Sequence, residues 1–102
     1  MAKGYWVVRI DVKDPEVYAD YVKANAEPLA RHGAKFLVRG GKHEVMEGST
    51  RARNVVLEFP SYAAALACFH DPAYQKANAI RQKAAVSDLI IVEGYEGVQP
   101  GD

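Results

Sequence analysis

Residues 5–16 read Tyr5-Trp6-Val7-Val8-Arg9-Ile10-Asp11-Val12-Lys13-Asp14-Pro15-Glu16. Trp6, Val8, Ile10 and Val12 are uniformly apolar, whereas Tyr5, Val7, Arg9 and Asp11 are mixed. The alternation predicts a strand with one fully apolar face. Asp14 then stands as an N-cap candidate, Pro15 as the first helical residue and Glu16 as an acid in the first turn, where the helix dipole favours negative charge. The helix is expected from Pro15 to about His32, with Val17, Tyr18, Tyr21, Val22 and Leu29 along one side and Gly33 just past its end. Pro28 lacks an N–H and is expected to kink this helix or end its first segment.

Working outward, Ala34 to Arg39 reads as a second strand, and Gly40-Gly41 as a bulge or turn that needs glycine. No Gly-Lys-Ser/Thr follows the pair, so it is not a phosphate loop. Lys42 to Glu47 reads as extended and Gly48-Ser49-Thr50 as a loop. Asn54 to Phe59 is a third strand, stopped by Pro60. Ser61 caps a short Ala-rich helix to about His70, and Asp71-Pro72 repeats the earlier Asp-Pro start signal for a helix to about Ala85. Asp88 to Glu93 is the last strand. The order β-α-β-β-α-β, with its second helical segment split, is that of an α+β, ferredoxin-like fold: a four-stranded antiparallel sheet with helices on one face and the first and third strands inside. Residues 1–97 are expected to form one domain and residues 98–102 a frayed tail.

The composition agrees with a single core. The chain has 102 residues, is 49% apolar and carries 13 basic against 13 acidic side chains. Surface scaling gives a folded area near ~5,700 Å², enough burial for one core without metals or disulfides. Zero net charge removes the electrostatic footprint of a nucleic-acid binder or a polybasic membrane binder. No secretory-type apolar segment and no run of membrane-spanning length is visible, so a cytoplasmic location and no membrane partner are expected. The single cysteine, Cys68, lies in an Ala-rich run and reads as a buried helical thiol.

One sheet face is left without helices. With Trp6, Val8 and Ile10 turned toward the helices, the open face is expected to carry Val7, Val56, Leu89 and Ile91 mixed with Arg9, Asp11, Glu58 and Glu93. Four aliphatics on a solvated face mark an interaction site. The expected partner is a second copy, a C2 homodimer in which Arg9 meets Glu58 or Asp11 within or across subunits.

These residues carry a resemblance. Gly4-Tyr5-Trp6, Tyr18 and Tyr21, Gly33 through Gly41, Glu47-Gly48, Arg53 through Ser61, Asp71-Pro72-Ala73-Tyr74-Gln75, Arg81 and Ile91 through Tyr95 together resemble the domain-of-unknown-function 1330 family, within the dimeric α/β-barrel superfamily. The likeness spans roughly Lys3 to Gly97. It implies the fold and a dimer, while the activity of the family is not established. Families on the same fold include heme- or cofactor-independent monooxygenases, muconolactone-isomerase-like enzymes and stress-responsive barrel proteins, and fold analogy does not choose among them.

Candidate chemistry centres on Arg39, Glu58, Tyr74 and Arg81, expected near one end of the sheet. Tyr74 and Arg81, seven residues apart, share a helix face with Ala77. Arginine as an anion clamp, tyrosine as a donor and Glu58 as a base would suit a small carboxylate or enolate, with Glu58, Tyr74 and Arg81 as catalytic candidates. Trp6 and the tyrosines would wall a pocket between sheet and helices, and His43 would flank its mouth. The other reading is an Arg–Glu structural network in a non-catalytic structural or regulatory dimer. The three histidines are too dispersed for a local metal motif, so neither metal nor cofactor is expected. His32 and His70 read as helix C-terminal residues. Arg51-Ala52-Arg53 reads as a solvated basic group in a hairpin loop.

Overall fold

The computed structural model describes residues 2–102. In chain order the elements are β1 (Gly4–Val12), α1 (Pro15–Arg31), β2 (Lys35–Arg39), β3 (Arg53–Phe59), α2 (Tyr62–His70), α3 (Pro72–Ala84) and β4 (Ala85–Glu93). The sheet order is β2-β3-β1-β4, with every neighbouring pair antiparallel, so β1 and β3 are the inner strands. The expected ferredoxin-like α+β fold is present.

Local chemistry explains the helix ends. Asp14 Oδ1 accepts the Val17 N–H at 3.2 Å, Ser61 Oγ accepts from Ala64 N at 3.0 Å, and Asp71 Oδ1 accepts from Ala73 N at 2.8 Å. Each cap satisfies an N–H that its helix cannot pair internally. At the other end of α1, Gly33 turns the chain at φ 77°, a left-handed conformation that glycine adopts without a Cβ clash. α1 runs on through the buried Pro28 to Arg31, so that proline neither ends the helix nor splits it.

β4 begins at Ala85, three residues before the sequence reading placed it. Ala84 O, at the end of α3, accepts from both Lys13 N and Asp14 N at 2.7 and 3.0 Å, and Val12 pairs with Ala85. The helix end is thereby stitched to the end of β1, and the ladder starts at once.

The core lies between sheet and helices. Trp6, Val8 and Ile10 from β1 meet Val55, Leu57 and Phe59 from β3, all buried, as the alternation predicts. In β4 the face assignment reverses. Leu89 and Ile91 pair opposite Val8 and Trp6 and pack on the core, whereas Val86, Asp88, Ile90 and Val92 lie on the open face. Leu89-Ile90-Ile91-Val92 is a continuous apolar run, so it carries no alternation from which its faces could be read. Glu93, opposite Gly4, also leaves the open face.

The corrected open face has a row of aliphatics running across all four strands: Val38, Val56, Val7 and Ile90 are successive cross-strand neighbours. Ile90 is 59% exposed. Within one chain its charges do not form the Arg9 pairs. Asp11 is held by Arg51 Nη1 at 2.8 Å and by Ala52 N at 2.9 Å, while Glu58 accepts the Tyr5 hydroxyl at 3.3 Å. Arg51 also reaches Asp88 at 2.8 Å. Arg9 has no ion pair among the described residues.

Asp71 joins α1 to the α2–α3 junction. Its second carboxylate oxygen meets His32 Nε2 at 2.8 Å and the Arg31 guanidinium. The His32 contact, the Ala73 N–H and Arg31 hold its carboxyl down at about 2, against an ordinary 3.8. The unfolded chain therefore takes up this proton more readily, and the contribution of Asp71 is full above the ordinary carboxylate value and lost as pH falls toward 2. Asp71→Asn keeps a capping side chain but loses the charge. Thermal unfolding is expected to show the variant less stable than wild type near neutrality, with the gap closing between about pH 5 and pH 2.

Candidate functional site

α1 packs chiefly on α3. The space beneath it is a cleft with a cavity of about 30 Å³, lined on the helix side by Tyr18, Tyr21, Val22, Asn25 and Leu29. The strands contribute Trp6, Val8, Ile10, Val55 and Leu57, with Phe36, Arg39 and Arg53 toward the open edge. No carboxylate is among the lining residues, while two arginines are.

Arg39 reaches the cleft because of an irregularity in β2. Lys35 pairs with Glu58 and Phe36 with Leu57, but the register then shifts, so that Val38 faces Val56 and Arg39 faces Val55. Leu37 is the extra residue. An uninterrupted ladder would turn Arg39 onto the opposite face, since a one-residue shift exchanges faces. The irregularity thus falls at Leu37, before the diglycine. Gly40 instead closes the ladder, its N–H donating to Asn54 O at 2.8 Å, with φ at 69°. A Cβ there would also collide with the Arg53 guanidinium. Arg39 lies over the Phe36 ring, its Cζ 4.1 Å from the centroid, and both side chains are exposed at the mouth.

Arg53 was not expected here. It opens β3, pairs with Ile10 and shares the parity of Val55, Leu57 and Phe59, so it points inward with the core residues. That parity was readable; placing the residue in a loop concealed it. Its Cζ sits 6.0 Å from the Tyr18 ring centroid, and its Nε is buried without a hydrogen-bond partner. Arg51, its neighbour in sequence, is tied to Asp11 and Asp88 and is likewise not a free surface charge.

Behind the cleft lies a second polar layer. Arg81 is 6% exposed, with Nε and Nη2 both donating to Asn78 Oδ1 at 3.1 and 2.6 Å, and its Nη1 is buried and unpaired. Its Cζ is 5.8 Å from the Tyr21 ring centroid. The Tyr21 and Tyr74 hydroxyls share a hydrogen bond of 3.0 Å. Tyr74 is fully buried against Trp6 and Phe69, and burial pushes its phenol above the usual tyrosine range. Burial likewise raises Tyr18, with Arg53 and Arg81 opposing the rise.

The residues singled out from sequence therefore separate into four places. Trp6 and Arg39 line the cleft, and Tyr74 and Arg81 stand behind Tyr21. Glu58 lies on the other face of the sheet, beside Tyr5, and does not converge with them. His43 lies in the exposed β2–β3 connection, along a groove with Arg9. Asn25 and Asn78, both buried, carried no sequence signal, because a lone amide on a helix is usually solvated. Cys68 is buried as expected, its thiol pushed up to about 12 by burial, and Sγ lies 3.7 Å from Pro28 O. Among the described residues no group of three His, Cys, Asp or Glu side chains is placed to hold a metal ion.

The tyrosine pair yields a stability test. Tyr74→Phe leaves the Tyr21 hydroxyl without its buried partner and is expected to cost about 1–3 kcal/mol, whereas the double variant Tyr21→Phe/Tyr74→Phe costs less than the sum of the singles. Denaturant unfolding of the four proteins measures the coupling.

Solved structures share this fold. A protein of unknown function from Rhodopseudomonas palustris, RPA0582, superposes with a TM-score of 0.74 at 23% identity, over 94% of this chain and 85% of that one. SnoaB, a cofactor-independent oxygenase from Streptomyces nogalater, superposes with a TM-score of 0.63 at 14% identity, over 98% of this chain and 99% of its own. At such identities the likeness is one of fold. No match is found among curated proteins. Residues 3–95 match the family model described as Domain of unknown function (DUF1330), and the chain belongs to that family.

Proposed function

We propose that the cleft beneath α1 binds a small organic anion with an aromatic or otherwise flat apolar body. The reading is carried by one observation: guanidinium groups stand in and behind a ring-lined cleft that offers them no carboxylate, and two of their buried nitrogens, Arg53 Nε and Arg81 Nη1, have no partner. A buried cationic donor without an acceptor is costly, and an anionic ligand relieves that cost. Tyr18 and Tyr21 supply hydroxyls beside the charge, and Trp6, Val8 and Leu57 an apolar floor. The cavity holds little more than water as it stands. Entry falls to Arg39 and Phe36, whose exposed side chains can swing from the mouth on the nanosecond scale. With Glu58 on the far face, any proton transfer at this site falls to the tyrosines or to the ligand itself. Acid/base turnover of such a ligand without a metal is the enzymatic form of the proposal.

The working unit in this proposal is a homodimer. The row Val38, Val56, Val7 and Ile90 gives each copy an apolar stripe across its open face, and pairing two such faces covers it. The alternative of a purely structural dimer keeps this pairing and leaves the cleft empty.

Two measurements test these statements. Thermal unfolding with a panel of aromatic and aliphatic carboxylates, each set against its neutral amide, should show carboxylates raising Tm and amides not, with Arg53→Met weakening binding at least tenfold. Equal responses to acid and amide, or no response up to about 10 mM, would overturn the anion site. Light scattering should give the wild type twice the mass of one chain and Ile90→Asp the mass of one chain; a monomeric wild type removes the dimer.

A further inference from the structure

The β2–β3 connection spans the thirteen residues between Arg39 and Arg53, long for a link between neighbouring antiparallel strands. Its base is secured on the open-face side by Arg51, through Asp11 and Asp88, and by Thr50, whose Oγ1 lies 3.3 Å from Asn54 Oδ1. Beyond that base the chain has no internal support. No hydrogen bond or ion pair joins Gly41–Ser49 to the rest of the described residues, and every residue from Lys35 to Thr50 is exposed. Yet the middle of this arm is apolar: Val45 is 50% exposed and Met46 82%. Between the arm and the open face runs a groove of about 450 Å³, lined by Arg9 and Asn54 from the sheet and by His43, Glu44, Val45, Met46 and Glu47.

The overall dimensions are those of a chain with surface to spare. The accessible surface is 6631 Å², against ~5,700 Å² for a folded monomer of this mass, an excess of about 900 Å². One side of a standard protein–protein interface is about 800 Å². The radius of gyration, 14.5 Å, exceeds the ~13 Å of a compact domain of this length. The surplus is therefore of the size that one copy contributes to a stable dimer. The groove adjoins the aliphatic row, because Arg9 and Asn54 belong to the same face as Val7 and Val56. Charge agrees: Arg9 has no carboxylate partner among the described residues, and the arm carries Glu44 and Glu47 about its apolar centre against the single Lys42.

We propose that residues 41–49 form a clasp that closes over a second copy of this chain, burying Val45 and Met46 on the partner and setting the acidic arm of each subunit against the Arg9 side of the other. The proposal rests on the sheet-face pairing above and adds to it a separate element, one that sequence reading treated as an ordinary extended loop.

Sedimentation across a concentration series separates the two. The wild type should dimerise, and Val45→Asp/Met46→Asp should raise the dimer dissociation constant at least tenfold. Both substitutions lie on exposed positions, so in the monomeric Ile90→Asp background they should leave Tm unchanged, which excludes loss of folding as the cause. Cleavage by a glutamate-specific protease at Glu44 and Glu47 should be slow in the wild-type dimer and fast in Ile90→Asp. A wild-type dimer whose affinity and cleavage rate do not respond to these changes overturns the clasp and leaves the sheet-face pairing standing. A wild type that remains monomeric overturns both.

Discussion

A helix layer on only one face of a four-stranded sheet must be positioned by the side chains that fill the space between, and Trp6 does most of that positioning. Its indole N–H donates to Ala65 O at 2.9 Å, which ties β1 to α2, while its ring meets Phe59, Phe69 and Tyr74 with centroids 4.9 to 6.1 Å apart. Tyr74 in turn holds Tyr21, so α1 is located largely through α3. The Asp71 contacts with Arg31 and His32 fasten the far end of the same helix. Held at its ends and along α3, α1 leaves a gap over β2 and β3, and the cleft is that gap.

Polar groups inside this arrangement follow from the same constraint. Arg53 is accommodated at an inward position of β3 because it lies at the cleft, beside the Tyr18 ring of α1. Burial of Arg81 beside Asn78 is possible for a related reason: the tyrosine hydroxyls and the asparagine amide supply dipoles that soften the desolvation of a guanidinium. The result is a concentration of positive charge in a chain whose total charge is zero. Several carboxylates are engaged elsewhere, Asp11 and Asp88 with Arg51 and Glu58 with Tyr5 on the open face, and Asp71 with Arg31 and His32 at the helix junction.

Much of this was legible from residues alone. The period-two pattern of Trp6, Val8 and Ile10 and of Val55, Leu57 and Phe59 identified the inward faces of the two inner strands. The Asp-Pro signals at Asp14-Pro15 and Asp71-Pro72 located two helix starts, and Gly33 one helix end, because caps are local chemistry. The same logic failed where no alternation existed, in the run Leu89 to Val92, whose faces were reversed. It failed again for Arg53, which continues the parity of Val55, Leu57 and Phe59 but falls one residue before the strand start that the pattern suggests.

The sequence by itself determined the element order, the inner strands, the helix caps and the existence of an uncovered sheet face, since each depends on interactions within a few residues or on hydrophobic periodicity. Tertiary structure alone decided which side of the sheet each functional side chain occupies at the edges. The extra residue Leu37 turns Arg39 from the open face to the cleft, and the pairing of β4 with β1 sends Ile90 outward and Leu89 inward. Register is a relation between strands distant in sequence, and a single-residue shift exchanges both faces without altering composition or local propensity.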